Sequence, residues 1–102
     1  MQIQINTDNQ IDGNKTMLAD IRSTVERSLG RFSERLTRVE VHLTDVNANK
    51  GGVDIRCVME ARPSGMNPVK VDNMAVDVDK ATRGAAEKMV RALDTRFGKK
   101  GR

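Results

Sequence analysis

Leu29 to Leu43 reads LGRFSERLTRVEVHL, and the change of period inside this stretch decides the fold. Leading into it, Leu18, Ile21, Val25, Leu29, Phe32 and Leu36 recur every three or four residues, the spacing of one face of an α-helix. After Arg38 the step becomes two. Val39, Val41 and Leu43 fall on one side and Glu40, His42 and Thr44 on the other, as in a strand with one apolar face. Arg22, Arg27, Arg31, Arg35 and Arg38 lie off the helical stripe or at its end. Cations displayed in this way point to a polyanionic partner.

Upstream, residues 2–6 alternate, with Ile3 and Ile5 opposed to Gln2, Gln4 and Asn6, a short strand with one wet face. The polar stretch 9–14 is a loop, with Asp12 or Asn14 as the N-cap of a helix expected over 15–36. Gly30 weakens that helix near its end, by up to about 1 kcal/mol relative to Ala. Downstream, the second strand covers 38–46, and NANKGG (47–52) is a turn. In a third strand over 53–62, Val53, Ile55, Cys57, Met59 and Ala61 face inward, while Asp54, Arg56, Val58, Glu60 and Arg62 face outward. Pro63 ends it, RPSGMNP forms a longer loop, and a short fourth strand at 69–72 turns Val69 and Val71 inward. A second helix is expected over 75–97. Its inner side is Val78, Ala81, Ala85 and Met89, then Ala92 or Leu93, then Phe97 or Arg96.

The order is β-α-β-β-β-α. Each strand has one polar face, so both helices must cover the same side of a four-stranded sheet, a two-layer α+β sandwich. The β-α-β unit is expected to be a right-handed crossover, followed by an antiparallel meander. At 102 residues the chain reads as one domain, 1–102, with a basic tail at 98–102. Its core must be aliphatic, because the chain has no Trp, no Tyr and only Phe32 and Phe97.

The lone Cys57 excludes an internal disulfide and fits a reducing compartment. Met1 is followed by QIQIN, which is no signal peptide, and no apolar run approaches the ~20 residues that span a bilayer. The expectation is a soluble cytoplasmic protein with no membrane partner.

Catalytic chemistry finds no constellation. His42 is assigned to the open sheet face and Cys57 to the core, so they do not meet. Asp77 and Asp79 fall before or within the first turn of the second helix, where carboxylates complement the helix dipole. No Cys/His cluster has metal-ligand spacing and no GxxxxGK loop occurs. Neither cofactor, metal nor small-molecule substrate is expected, and the protein reads as no enzyme. The open face also lacks the aromatics on which single-stranded RNA readers stack bases. The helix layer is the better candidate. Net charge is +4, and from Lys88 to the end Lys88, Arg91, Arg96, Lys99, Lys100 and Arg102 are opposed only by Asp94. Lys80 and Arg91 lie nearly opposite the second helix's inner side, with Arg83 and Lys88 on its flanks. Such a basic ridge follows phosphates and RNA shape without reading bases, although Glu26, Glu34 and Glu87 interleave it.

LGRFSERLTRVEVHL and NMAVDVDKATRGAAEKMVRAL (Asn73 to Leu93) resemble two stretches of the ribosome hibernation promoting factor family. This family is also called the ribosome-associated inhibitor or sigma-54 modulation protein family. The first is similar to its helix-to-strand junction, the second to the approach to its last helix, and the likeness covers nearly the whole chain. The resemblance implies a fold like a double-stranded-RNA-binding domain. It also implies binding to the small ribosomal subunit through basic residues of both helices, so that translation is blocked or idle ribosomes are kept intact under stress. Carried onto this sequence, it makes Arg22, Arg27, Arg31 and Arg35 the candidates on the first helix. On the second helix the candidates are Lys80, Arg83, Lys88 and Arg91, all as phosphate contacts. The length matches the short members, without the C-terminal dimerisation domain of the long ones. The rival expectation is a protein-interaction module of the same fold, contacting its partner through a strand edge or the loop near Met66.

Overall fold

The computed structural model describes residues 1–8, 11–47 and 54–98. Its elements are β1 (Gln2–Thr7), α1 (Lys15–Leu29), β2 (Leu36–Asp45), β3 (Ile55–Pro63), β4 (Val69–Ala75) and α2 (Val78–Leu93). The sheet has four strands in the order β1-β2-β3-β4. β1 runs parallel to β2, with Gln2 opposite Arg38, and the other two pairings are antiparallel. This is the expected architecture: one edge strand joined by a helical crossover, then a meander.

The alternation read from the sequence sets the faces. Val39, Val41, Leu43, Ile55, Cys57, Met59 and Ala61 are buried under the helices. From above, α1 contributes Ile21, Val25 and Leu29, and α2 contributes Ala81, Ala85, Ala86, Met89 and Leu93. Each helix begins at a side-chain cap. Asn14 Oδ1 accepts from the Met17 amide at 2.8 Å, and Asp77 Oδ1 from the Lys80 amide at 2.7 Å. These bonds satisfy amides that have no partner within the helix.

Three expectations are corrected. The first helix does not reach residue 36 but stops at Leu29, giving way to a 3-10 turn over Gly30–Phe32. Arg31 therefore sits in that turn and Arg35 in the link to β2, neither on the helix. A tight turn also advances about three residues per revolution, so Phe32 and Leu36 keep the helical spacing while serving other elements. The fourth strand runs to Ala75, beyond residue 72, and the second helix starts at Val78. That helix ends at Leu93 and widens into a π-turn over Asp94–Gly98, which buries Phe97. Leu93 and Phe97 are the inward members of the two open pairs, with Ala92 and Arg96 only partly buried. Most of the 47–52 turn, Val53, and the tail beyond Gly98 lie outside the described residues.

Strand β4 carries a polar residue on its inner face. Asn73 stands opposite Cys57 and donates through Nδ2 to the Ala81 carbonyl at 3.3 Å. Gly84 makes room for it: a Cβ on Gly84 would lie 2.1 Å from Asn73 Nδ2.

Candidate nucleic-acid interface

The two helices lie parallel on the sheet. Their N-terminal halves flank a small cleft of about 140 Å³ lined by Met17, Asp20, Ile21, Thr24, Val78, Asp79 and Thr82. Their C-terminal ends meet where Phe32 packs on Phe97, with ring centroids 5.8 Å apart. Arg31 and Asp94 join there across the surface, with Nη2 donating to both carboxylate oxygens at 2.7 and 2.6 Å.

The eight candidate cations are all exposed, but they do not share one ridge. Arg22 bends to the β1 edge, where Nη1 donates to the Ile3 carbonyl at 3.3 Å. Lys88 bends to the β4 edge, where Nζ donates to the Asp72 carbonyl at 2.8 Å. These are the two opposite borders of the sheet. Arg27 donates to Ser23 Oγ at 3.1 Å, and Arg83 pairs with Asp79 one helical turn back at 3.2 Å. Among the described residues the side chains of Lys80 and Arg91 have no hydrogen-bond or ion-pair partner, so their charges are uncompensated on the outer face of α2. Arg31 and Arg35 sit together at the C-terminal end, each over a phenyl ring: Arg31 Cζ is 4.4 Å from the Phe32 centroid and Arg35 Cζ 3.7 Å from that of Phe97.

Arg96 belongs to the same end, and its Nη1 donates to the Asn67 carbonyl at 2.9 Å. Only the π-turn, which shifts the helical phase by a residue, separates the roles of Arg96 and Phe97.

The open face of the sheet behaves differently. Glu40, with 12% of its side chain exposed, gathers Arg38 at 3.0 Å, His42 at 3.2 Å and Arg62 at 3.4 Å. Arg62 also meets Glu60 at 3.2 Å, and Arg56 meets Asp72 at 3.0 Å. Cations held in this network would have to break carboxylate pairs before reaching a phosphate, so this face is poorly suited to a polyanion.

Cys57 is fully buried, as its place in an apolar alternation predicts. Burial pushes its thiol up to about 12, partly offset by a hydrogen bond with Thr82. It is neither a nucleophile nor a ligand at neutral pH. Among the described residues no group of three His, Cys, Asp or Glu could hold a metal ion, and no helix is long and apolar enough to cross a membrane.

A two-layer β-α-β-β-β-α domain with exposed cations on both helices defines a small α+β class. Residues 9–100 match the family model described as sigma 54 modulation protein / S30EA ribosomal protein, so the chain belongs to that family of ribosome-associated, non-enzymatic proteins. Solved structures share the fold. A ribosomal subunit interface protein from Coxiella burnetii superposes with a TM-score of 0.75 at 13% identity, covering 96% of this chain and 99% of that one. The N-terminal domain of Protein Y from Thermus thermophilus gives a TM-score of 0.68 at 16% identity, covering 93% and 98%. No curated protein sequence matches significantly.

Proposed function

We propose that this protein is a cytoplasmic regulator of translation. It binds ribosomal RNA of the small subunit through its helix layer, promoting ribosome hibernation or inhibiting translation under stress. The observation that carries this reading is the contrast between the two faces. Arg38, Arg56 and Arg62 on the sheet are consumed by carboxylates, which leaves Lys70 as that face's unpaired cation, whereas the side chains of both Lys80 and Arg91 on α2 are exposed and unpaired among the described residues. Family membership supplies the partner, and the fold shared with a ribosomal subunit interface protein agrees with it. The contacts are to phosphate, which fixes register and orientation without reading sequence.

The test is sedimentation with purified ribosomes and separated subunits at low and then moderate salt. Co-migration with the small subunit that fades as salt rises supports the reading, because each phosphate contact adds somewhat under ~1 to the slope of log affinity against log salt. Failure to co-migrate at low salt refutes it. The rival reading, a protein-docking module, has its own observation: Met74 and Val76, at the end of β4, are 54% and 57% exposed. An apolar contact there would persist as salt rises.

A further inference from the structure

We propose that the Arg35 guanidinium, laid on the ring of Phe97, is a stacking platform for an unpaired RNA base. The inference rests on the ribosomal RNA reading and narrows it, because phosphate contacts alone do not distinguish paired from unpaired RNA.

Phe32 and Phe97 are the chain's only Phe, Trp or Tyr residues, and each is 6% exposed, so neither ring offers a face to a base; the imidazole of His42 lies on the opposite face of the sheet, held by Glu40. Each carries an arginine instead, and the two arginines differ. Both Arg31–Asp94 contacts are short, and the pair compensates the charge of Arg31 and ties its Nη2 to the carboxylate. Arg35 has no hydrogen-bond or ion-pair partner for its guanidinium among the described residues and is exposed. One face of its plane rests on Phe97 at 3.7 Å, which leaves the other face and the N–H edge to solvent.

Its backbone is fixed as well, since the Arg35 carbonyl accepts from the Ser64 amide at 2.9 Å. The neighbouring residue, Gly65, begins an open hollow of about 580 Å³ lined by Gly65, Met66, Asn67 and Arg96. A flat, weakly hydrated cation, ordered before binding and set beside a hollow with a second arginine, matches a base together with its adjoining phosphate. Bases within an A-form duplex are stacked on each other and cannot reach it; bases in loops, bulges and ends can.

The discriminating substitution is Arg35→Lys. Lysine keeps the charge and a stem over Phe97 but loses the plane. The probe is a short single-stranded oligoadenylate carrying a fluorescent adenine analogue, compared with its duplex, alongside sedimentation with small subunits. Stacking predicts that wild-type protein quenches the analogue in the single strand but not in the duplex. Arg35→Lys and Arg35→Ala should both weaken single-strand binding by about five- to 150-fold, with the salt slope of the lysine variant unchanged and both thermal midpoints near wild type. If Arg35→Lys binds like wild type, or if the wild-type complex shows no quenching, the platform is overturned. When the wild type still sediments with small subunits in that case, the ribosomal reading stands. If the wild type does not sediment, both fall together.

Discussion

Gly84→Ala should destabilise this protein, although it places a better helix former in the interior of α2. In an open helix the exchange stabilises by about 1 kcal/mol. Here the new Cβ would stand 2.1 Å from Asn73 Nδ2 and 2.6 Å from its Cγ, far inside contact distance. The side chain of Asn73 must swing aside and lose its bond to the Ala81 carbonyl, which costs about 1 kcal/mol. Overpacking at a tight contact adds about 1–3 kcal/mol. The net expectation is a loss of about 1–3 kcal/mol, which lowers the melting midpoint by about 4–8 °C per kcal/mol for a domain near this size. Asn73→Ala removes the obstacle. In that background Gly84→Ala should change sign and stabilise by up to about 1 kcal/mol, so the double-mutant cycle isolates the contact. Urea titration of all four proteins measures it. If Gly84→Ala raises stability in the wild-type background, or has the same effect with and without Asn73, the packing argument is wrong.

Reversing Lys80 and Arg91 together to Glu should abolish association with the small subunit, while leaving the urea midpoint within about 0.5 kcal/mol of wild type. Both sites are exposed. Removing the α2 cap by Asp77→Ala should cost about 1 kcal/mol, read as a lower thermal midpoint. Asp94→Asn breaks an ion pair whose side chains are 59% and 50% exposed, so stability should move by less than about 1 kcal/mol while ribosome affinity rises through the freed Arg31. Cys57 should resist alkylation in native protein at neutral pH and react on unfolding. Its thiol is raised from 9.0 to about 12 in the fold. Between those values the unfolded chain sheds the proton and the native state keeps it, so this contribution to stability falls as pH rises across that window. Urea midpoints taken from pH 8 upward should decline accordingly.

Sequence pattern was sufficient for the order of the strands and the faces they present. Wherever Val, Ile, Leu or Met alternated with polar residues, the strand and its faces were legible, down to Cys57 inside and His42 outside. It failed where two geometries share a period. Phe32 and Leu36 fit a helix stripe as well as they fit a turn followed by a strand, and tertiary packing on Phe97 decides between them. The end of β4 was hidden for another reason. Asn73 is a polar residue at an inward position, tolerated only because Gly84 lies opposite it, a relation between distant residues that no local window contains. The candidate cations were found as residue types but not as a surface. Whether Arg22 turns to one sheet border and Lys88 to the other depends on which carbonyl lies within reach.

The parallel pairing of β1 with β2 bears on how the chain assembles. Strands β2, β3 and β4 follow one another in sequence with no helix between them among the described residues, whereas β1 is separated from its partner β2 by the whole of α1. Closing the longer loop costs more chain entropy, and contacts between distant residues form more slowly. The meander with α2 on its back is therefore expected to form first, with the N-terminal strand docking last along a single border. Amide protons of β1 should exchange before those of β3, and that strand is where a protease or a pulling force would first open the molecule.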